Sequence, residues 1–570
     1  ALLLFAASLL IRLGNPDLWH PIYGGEKPMD FSHFNAILKS TVFPPYDPWF
    51  AGGSLNYYYY GYVLVGMPVK LLGITPSVAY NLILPALFSM VGLAAFSTGW
   101  NLLAGRAGAA AQSEEPGPQR LYGAGLAAAA AVLLLGNLGT VRMQWQGLQR
   151  LVVPEEQIRA GSLFEQAGWA FQGAARIIDG RAEGLPYSPG DWYWKPSRAI
   201  QPEAGNEITE FPFFTFLYGD LHAHLMALPV TLLVIGWSLS VCLAGMSSAQ
   251  AKRRGARTRS VIETLRPAFV LLLGALSAGA LRPANTWDQY TYLTFAVLAL
   301  AYGQWQTGTG RWNGAGRWLR ALLPAAALAG LALLFYSPFD RWFGQAYNAL
   351  VLYEGPKTQL GSYLVHWGLF LFVIAAWLFD EAVDWMAATP LSAVRRLEPY
   401  RGAVTAAAAL ALLALAGLLL RGSVAALIAG PLGLAAGLLM LRPGQPHAKR
   451  MVLLMTGTAL LLTLAVEVAA VRGDINRMNT VFKFYFQAWT LLGLSAAAAL
   501  AWLRPRLPGW SAGWRWTWLA VLGLLVMGAA LYPVTAARGK IADRMTPGAP
   551  HTLDGMEFMA HTFYGDGPSA

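Results

Sequence analysis

Apolar residues along this chain fall in long blocks separated by short polar intervals. A helix needs about 20 mostly apolar residues to cross a bilayer. Blocks near that length occur at 1–12, 78–104, 121–139, 213–245, 267–282, 288–304, 321–337, 361–380, 403–420, 423–441, 451–471, 484–503 and 516–533. The pattern predicts an all-α polytopic membrane protein with about 13 transmembrane helices. Ala1–Ile11 is short and reads as a truncated first helix. Tyr57–Leu72 is also apolar, but it is rich in aromatics and carries Pro68 and Lys70, so it reads as an interfacial or partly inserted helix. No tandem repeat is present.

The polar intervals differ in length and charge. Lys252, Arg253, Arg254, Arg257, Arg259 and Arg266 share one short loop, and Arg311, Arg317 and Arg320 another. Arg395, Arg396 and Arg401, then Arg442, Lys449 and Arg450, then Arg504, Arg506 and Arg515 fill three more. With 13 spans all five loops fall on one side, which the positive-inside rule makes cytoplasmic. The expected location is a cell membrane, with the N-terminus cytoplasmic and the long loops 13–77 and 140–212 extracytoplasmic. Residues 1–534 read as one transmembrane domain and 535–570 as the start of an extracytoplasmic C-terminal segment.

Composition agrees with lipid as the solvent. Of 570 residues 56% are hydrophobic and 12% charged, against about 25% charged in soluble domains. The net charge of +11 comes from the short basic loops and points to no nucleic acid. A single Cys242 excludes an intrachain disulfide and a cysteine metal site. No phosphate-binding glycine loop, dinucleotide fingerprint or serine triad stands in a credible context.

The remaining polar residues gather in clusters on the long-loop side. Glu26-Lys27-Pro28-Met29-Asp30 places two acids four residues apart, followed by an amphipathic stretch and by Tyr57–Tyr60. Such acids suit a general base or a metal; the plainer alternative is a solvated loop with a helix starting at Asp30. Gly219-Asp220-Leu221-His222-Ala223-His224 opens an apolar block. As a helix it would put Asp220 and His224 on one face, and as an extended segment His222 and His224. Either pair suits a metal or a phosphate, and the cost of charge at membrane depth argues for a site over an N-cap with interfacial histidines. Arg472 through Lys483 adds Arg477, Asn479 and Lys483, a set that suits a lipid phosphate or ordinary headgroup contact. Asn285 and Asp288 form a compact turn between two spans. Glu467, inside an apolar block, needs a partner, and Arg472 is the nearest candidate.

At these residues the chain resembles known families. Glu26–Asp30, Asn56–Gly61, Gly219–His224 and Arg477–Lys483 resemble the YYY-type membrane family, a DUF2298-like domain of unknown function. The first loop is also similar to that of the GT-C membrane glycosyltransferases, in the protein mannosyltransferase and aminoarabinose transferase branch. That resemblance implies transfer of a sugar from a polyprenyl-phosphate donor at the extracytoplasmic face. Asp30 best matches the position of the GT-C acid. Phe31 replaces the second acid of the usual tandem pair, and Glu26 stands as its substitute. On this reading Asp30, or else Glu26, takes the acceptor proton. Asp220 with His222 or His224 holds a divalent metal (Mg or Mn) or the donor phosphate. Arg477 and Lys483 neutralise the leaving phosphate, and Asn479, Tyr58, Tyr59, Asn285 and Asp288 contact substrate. The alternatives are a transporter or flippase of a lipid-linked or anionic substrate and a structural scaffold; the scaffold leaves the clusters without a purpose.

Overall fold

Nearly every apolar block becomes a helix, and the polar residues inside the blocks decide where helices break. The computed structural model describes residues 1–19, 25–105, 117–200, 207–253, 261–307, 314–344, 349–564 and 567–568. Gly24, Arg254, Arg257, Arg259 and Arg311 lie outside the described residues. Helix α1 (Leu2–Leu13) leads to α2 (Lys27–Lys39) and α3 (Tyr60–Leu72), which pack on each other, and then to α4 (Pro76–Ala104). α5 (Pro118–Ala129) runs through a π-turn at Ala130–Leu134 and bends by 53° into α6 (Gly139–Arg150). α7 (Glu155–Ala160), α8 (Leu163–Ile178), α9 (Asp191–Trp194) and α10 (Pro212–Tyr218) complete the second long segment. α11 (Ala223–Arg253), α12 (Val261–Ala284), α13 (Thr286–Thr307), α14 (Ala315–Asp340) and α15 (Leu360–Ala388) follow, then α16 (Arg401–Leu420), α17 (Ala426–Met440), α18 (His447–Val468), α19 (Met478–Leu503), α20 (Ala512–Arg544) and the short α21 (Gly555–Met559). Strands β1 (Leu350–Leu352) and β2 (Ala469–Val471) pair antiparallel, Leu350 opposite Val471.

Among the described residues nine helices are long and apolar enough to cross a membrane, or ten if the bent α5–α6 pair counts as one span. With that pair counted, three of the 13 expected spans fall outside this set. α1 and α17 have 12 and 15 residues, below the length a perpendicular span needs. α13 has 22 residues but carries Asp288, Gln289, Gln304 and Gln306. α3, with 13 residues, is likewise too short to span.

α19 is the central post. Its Trp489, Leu491 and Leu494 are fully buried, and it packs against α18, α15, α5 and α4. α16 is the opposite case: none of its 20 residues is buried, as suits a helix surrounded by lipid.

Two sequence expectations change here. The apolar block 213–245 is not one helix. It breaks at Gly219, whose φ of +79° closes α10 and is cheap only for glycine. Asp220, Leu221 and His222 therefore lie in a non-helical turn ahead of α11. And α2 starts at Lys27 rather than Asp30, with Pro28 in its first turn, where a missing N–H costs nothing.

Candidate functional site

Three segments far apart in sequence meet beyond the ends of α1, α4 and α11. α2 brings Glu26, Lys27 and Asp30, and the turn between α10 and α11 brings Asp220 and His222. α3 brings Tyr62, whose hydroxyl donates to Asp30 Oδ1 at 2.7 Å. The turn is pinned from two sides. The Leu221 amide donates to the Tyr80 hydroxyl of α4 at 3.0 Å, and Asp220 Oδ2 accepts the Glu26 amide at 3.1 Å. Lys27 Nζ lies 3.0 Å from Asp220 Oδ1. A Cβ on Gly25, at φ +110°, would stand 3.5 Å from the Tyr218 hydroxyl and 3.9 Å from the Asp220 carboxylate, so the backbone passes close to the acid.

The His222 ring sits among three carboxylates. Its Nδ1 is 3.4 Å from Glu26 Oε2 and 3.6 Å from Asp30 Oδ2, and its Nε2 is 3.7 Å from Asp220 Oδ2. Burial works against the charged imidazole, but Asp30, Asp220 and Glu26 outweigh it and hold its pKa up to about 10. Burial would also raise Asp220; Lys27 and His222 overcome that and keep it below the usual carboxylate range.

Ligand atoms of Asp30, Asp220 and His222 lie within 4.8 Å of one another. Asp30 Oδ2 is buried without a close hydrogen bond, and the charged His222 ring at 3.6 Å balances it. Two carboxylates and an imidazole are donors a divalent cation accepts, and the carboxylates favour Mn or Mg. The three would hold a divalent cation only with His222 deprotonated, since a metal takes the neutral imidazole. The expected set changes by one member. His224 is on α11, its ring edge-on to Phe482 and Phe486 at 4.8 Å, and its Nε2 is 3.8 Å from Glu210. It lies outside the cluster because the turn ends at His222 and helical geometry carries His224 toward α19.

Exposure separates the two acids. Asp30 is wholly buried beneath Tyr62 and His222, whereas the Glu26 side chain is 60% exposed. A base must reach the proton it removes, so Glu26 is the accessible group and Asp30 the anchored one.

The cation cluster also changes. Arg477 is fully buried at the start of α19 and spends its donors on protein. Nε donates to Glu207 Oε1 at 2.8 Å, Nη1 to Glu467 Oε1 at 2.7 Å and to the Val466 carbonyl at 2.9 Å, and Nη2 to Thr358 Oγ1 at 3.0 Å. It cannot also clamp a phosphate. It is the partner of Glu467, and Arg472 is exposed instead. Asn479 is likewise engaged: its amide and side chain donate to Asp474 Oδ1, while Oδ2 accepts from the Thr480 amide and hydroxyl. Among the described residues Lys483 has no salt-bridge partner. Its amine lies over the Phe482 ring at 4.4 Å, within electrostatic reach of Asp288, Glu210 and Glu26. Asn285 Nδ2 donates to Asp288 Oδ2 at 2.9 Å, and Asn285 Oδ1 is left unpaired. Tyr58 and Tyr59 face Phe343 and Phe339 at 5.3 and 5.5 Å.

Four residues enter the site that the sequence reading gave no role: Lys27, Tyr62, Glu207 and Glu210. Glu207 and Glu210 stand just ahead of an apolar block, so the signal that singles out Glu467, a charge inside such a block, does not mark them. Burial pushes the Glu210 carboxyl up, against Arg198, His222 and Lys483. Behind the cluster, Asp17 is 3.3 Å from Arg12 and 3.9 Å from Lys27. Lys540 donates to Asn15, and Arg544 to the Tyr193 hydroxyl at 3.0 Å.

The fold and this cluster define an all-α polytopic membrane protein with a buried carboxylate–histidine centre at its helix ends. The chain belongs to the uncharacterized membrane protein family DUF2298, whose family model matches residues 2–492. Neither a curated protein nor a solved structure matches it.

Proposed function

We propose that the protein is a membrane glycosyltransferase that moves a sugar from a polyprenyl-phosphate donor to an acceptor hydroxyl at the extracytoplasmic face. The observation that carries this reading is the convergence of Glu26, Asp30, Asp220 and His222, with Lys483 within electrostatic reach of Glu26. The acceptor oxygen attacks the anomeric carbon as the bond to the phosphate oxygen breaks, so the configuration inverts. Glu26 takes the acceptor proton, and polyprenyl phosphate leaves with the bonding electrons. Lys483 is the cation available to the leaving phosphate, where fixed positive charge stabilises the transition state. Asp30 and Asp220 orient His222, and Tyr62 holds Asp30. A divalent cation held by Asp30, Asp220 and His222 would add positive charge at that phosphate.

One observation favours a second reading, a transporter of an anionic lipid-linked substrate. Asp220 and His222 sit in a break between two helices, as ligands do in many transporters. Purified protein in liposomes, given a radiolabelled polyprenyl-phosphate sugar and a hydroxylic acceptor, separates the two. The transferase reading expects release of polyprenyl phosphate that Glu26→Gln abolishes. Movement of intact donor across the bilayer without bond cleavage would establish the transporter, and turnover equal to wild type in Glu26→Gln would remove the assigned base.

A further inference from the structure

The segment joining α2 to α3, Ser40–Leu55, is apolar and mostly exposed. Its base is closed by the Asp47 amide donating to the Gly53 carbonyl at 2.9 Å and the Leu55 amide to the Pro45 carbonyl at 2.8 Å. Val42, Phe43, Tyr46, Trp49 and Phe50 all project outward, Tyr46 and Phe50 at 72% and 70% exposure. Asp47 is the segment's only charged residue. Its carboxylate is taken up by the amides of Trp49 and Phe50, at 2.8 and 3.2 Å. A water-facing loop would not carry five exposed large apolar side chains on a fixed frame.

Its neighbours show what covers it. Phe43 stacks on Tyr59 at 5.9 Å, Tyr59 meets Phe339 at the end of α14, and Phe339 stacks on Phe343 at 4.7 Å. α14 is one of the apolar spans and is mostly unburied, with Leu333 and Leu334 exposed along its length. The segment thus packs on the end of a helix whose exposed length lipid covers. Aromatic side chains favour the headgroup level of a bilayer.

We propose that Ser40–Leu55 is a membrane anchor whose aromatic tip seats in the interfacial zone of the leaflet on the site face. The Trp49 indole donates to Ser32 Oγ at 2.8 Å, and Ser32 follows Asp30 by two residues on α2. The anchor therefore sets the depth of the carboxylate–histidine cluster relative to the lipid headgroups. This inference rests on the membrane class of the chain and not on glycosyl transfer.

Nitroxide labels at Tyr46→Cys and Phe50→Cys, in a Cys242→Ser background, test it in vesicles of phosphatidylcholine and phosphatidylglycerol. Both positions are exposed, so labelling removes no core contact. Glu183→Cys, exposed on the 140–212 segment, is the aqueous control. With a water-soluble nickel chelate on both sides, the expected result is that labels 46 and 50 collide more with dissolved oxygen than with nickel, and label 183 the reverse. Nickel accessibility at 46 and 50 equal to that at 183 would overturn the anchor in favour of a water-facing loop. Shielding of both labels from oxygen and nickel alike would overturn it in favour of a protein partner or a second copy.

Discussion

Replacing Arg477 by methionine keeps most of the side-chain volume and removes the charge shared by Glu207 and Glu467. Both carboxylates are about 1% exposed, so neither can turn to water. Breaking one buried ion pair by removing a partner costs about 3–5 kcal/mol. Here two acids lose their cation together, Glu467 keeping only the Thr358 amide and hydroxyl, which places the expected loss near the upper end, about 5 kcal/mol. That is a change of three to four decades in the folded-to-unfolded ratio, since 1.4 kcal/mol is a factor of ten. Arg477→Lys should recover only part, because an ammonium lacks the fork that spans both acids. The triple variant Glu207→Gln/Arg477→Met/Glu467→Gln removes all three charges and should regain much of the stability. Equilibrium unfolding in mixed micelles of mild detergent and dodecyl sulfate reads all three. If Arg477→Met unfolds at the wild-type midpoint while donor binding falls, the structural argument is wrong and this arginine serves the substrate.

Glu26→Gln should lower turnover by about 10²–10⁴, the range for losing a general base. It should leave unfolding unchanged, because the side chain is mostly exposed; radiolabelled transfer and micelle unfolding measured together check both halves. Asp17 has its pKa lowered to about 2: burial would raise it, but Lys27, Lys540, Arg12 and Arg544 prevail. Its contribution, roughly 2 kcal/mol, is therefore complete above pH 4 and lost as pH falls toward 2. Unfolding of Asp17→Asn should be less dependent on pH in that window than wild type, and equal slopes would contradict the network. Asp474→Ala should cost about 1 kcal/mol, because the Asp474 carboxylate caps the Asn479 and Thr480 amides at the start of α19; amide exchange in that first turn would show the fraying.

The membrane class was legible because length and apolarity of a segment are local properties. That the Glu26–Asp30 and Asp220–His222 motifs belong together was also legible, since charge beside an apolar block needs a reason wherever it lies. Local reading failed where partners are remote. Arg472 is five residues from Glu467, but the partner is Arg477, whose other acid, Glu207, is 270 residues away. Asp30 looked as exposed as Glu26 because its cover, Tyr62 and His222, comes from other elements. The break at Gly219 was hidden by the apolar residues on both sides; only a left-handed glycine ahead of an acid marked it.

The bond from Lys540 to Asn15 joins positions 525 residues apart. At roughly 5–20 residues per second, the ribosome needs on the order of half a minute to two minutes to make the second after the first. Throughout that interval the first loop already carries Asp17 and Lys27 without the α20 cations that enclose them. The ion network behind the cluster is thus closed by a helix made long after the loop it encloses.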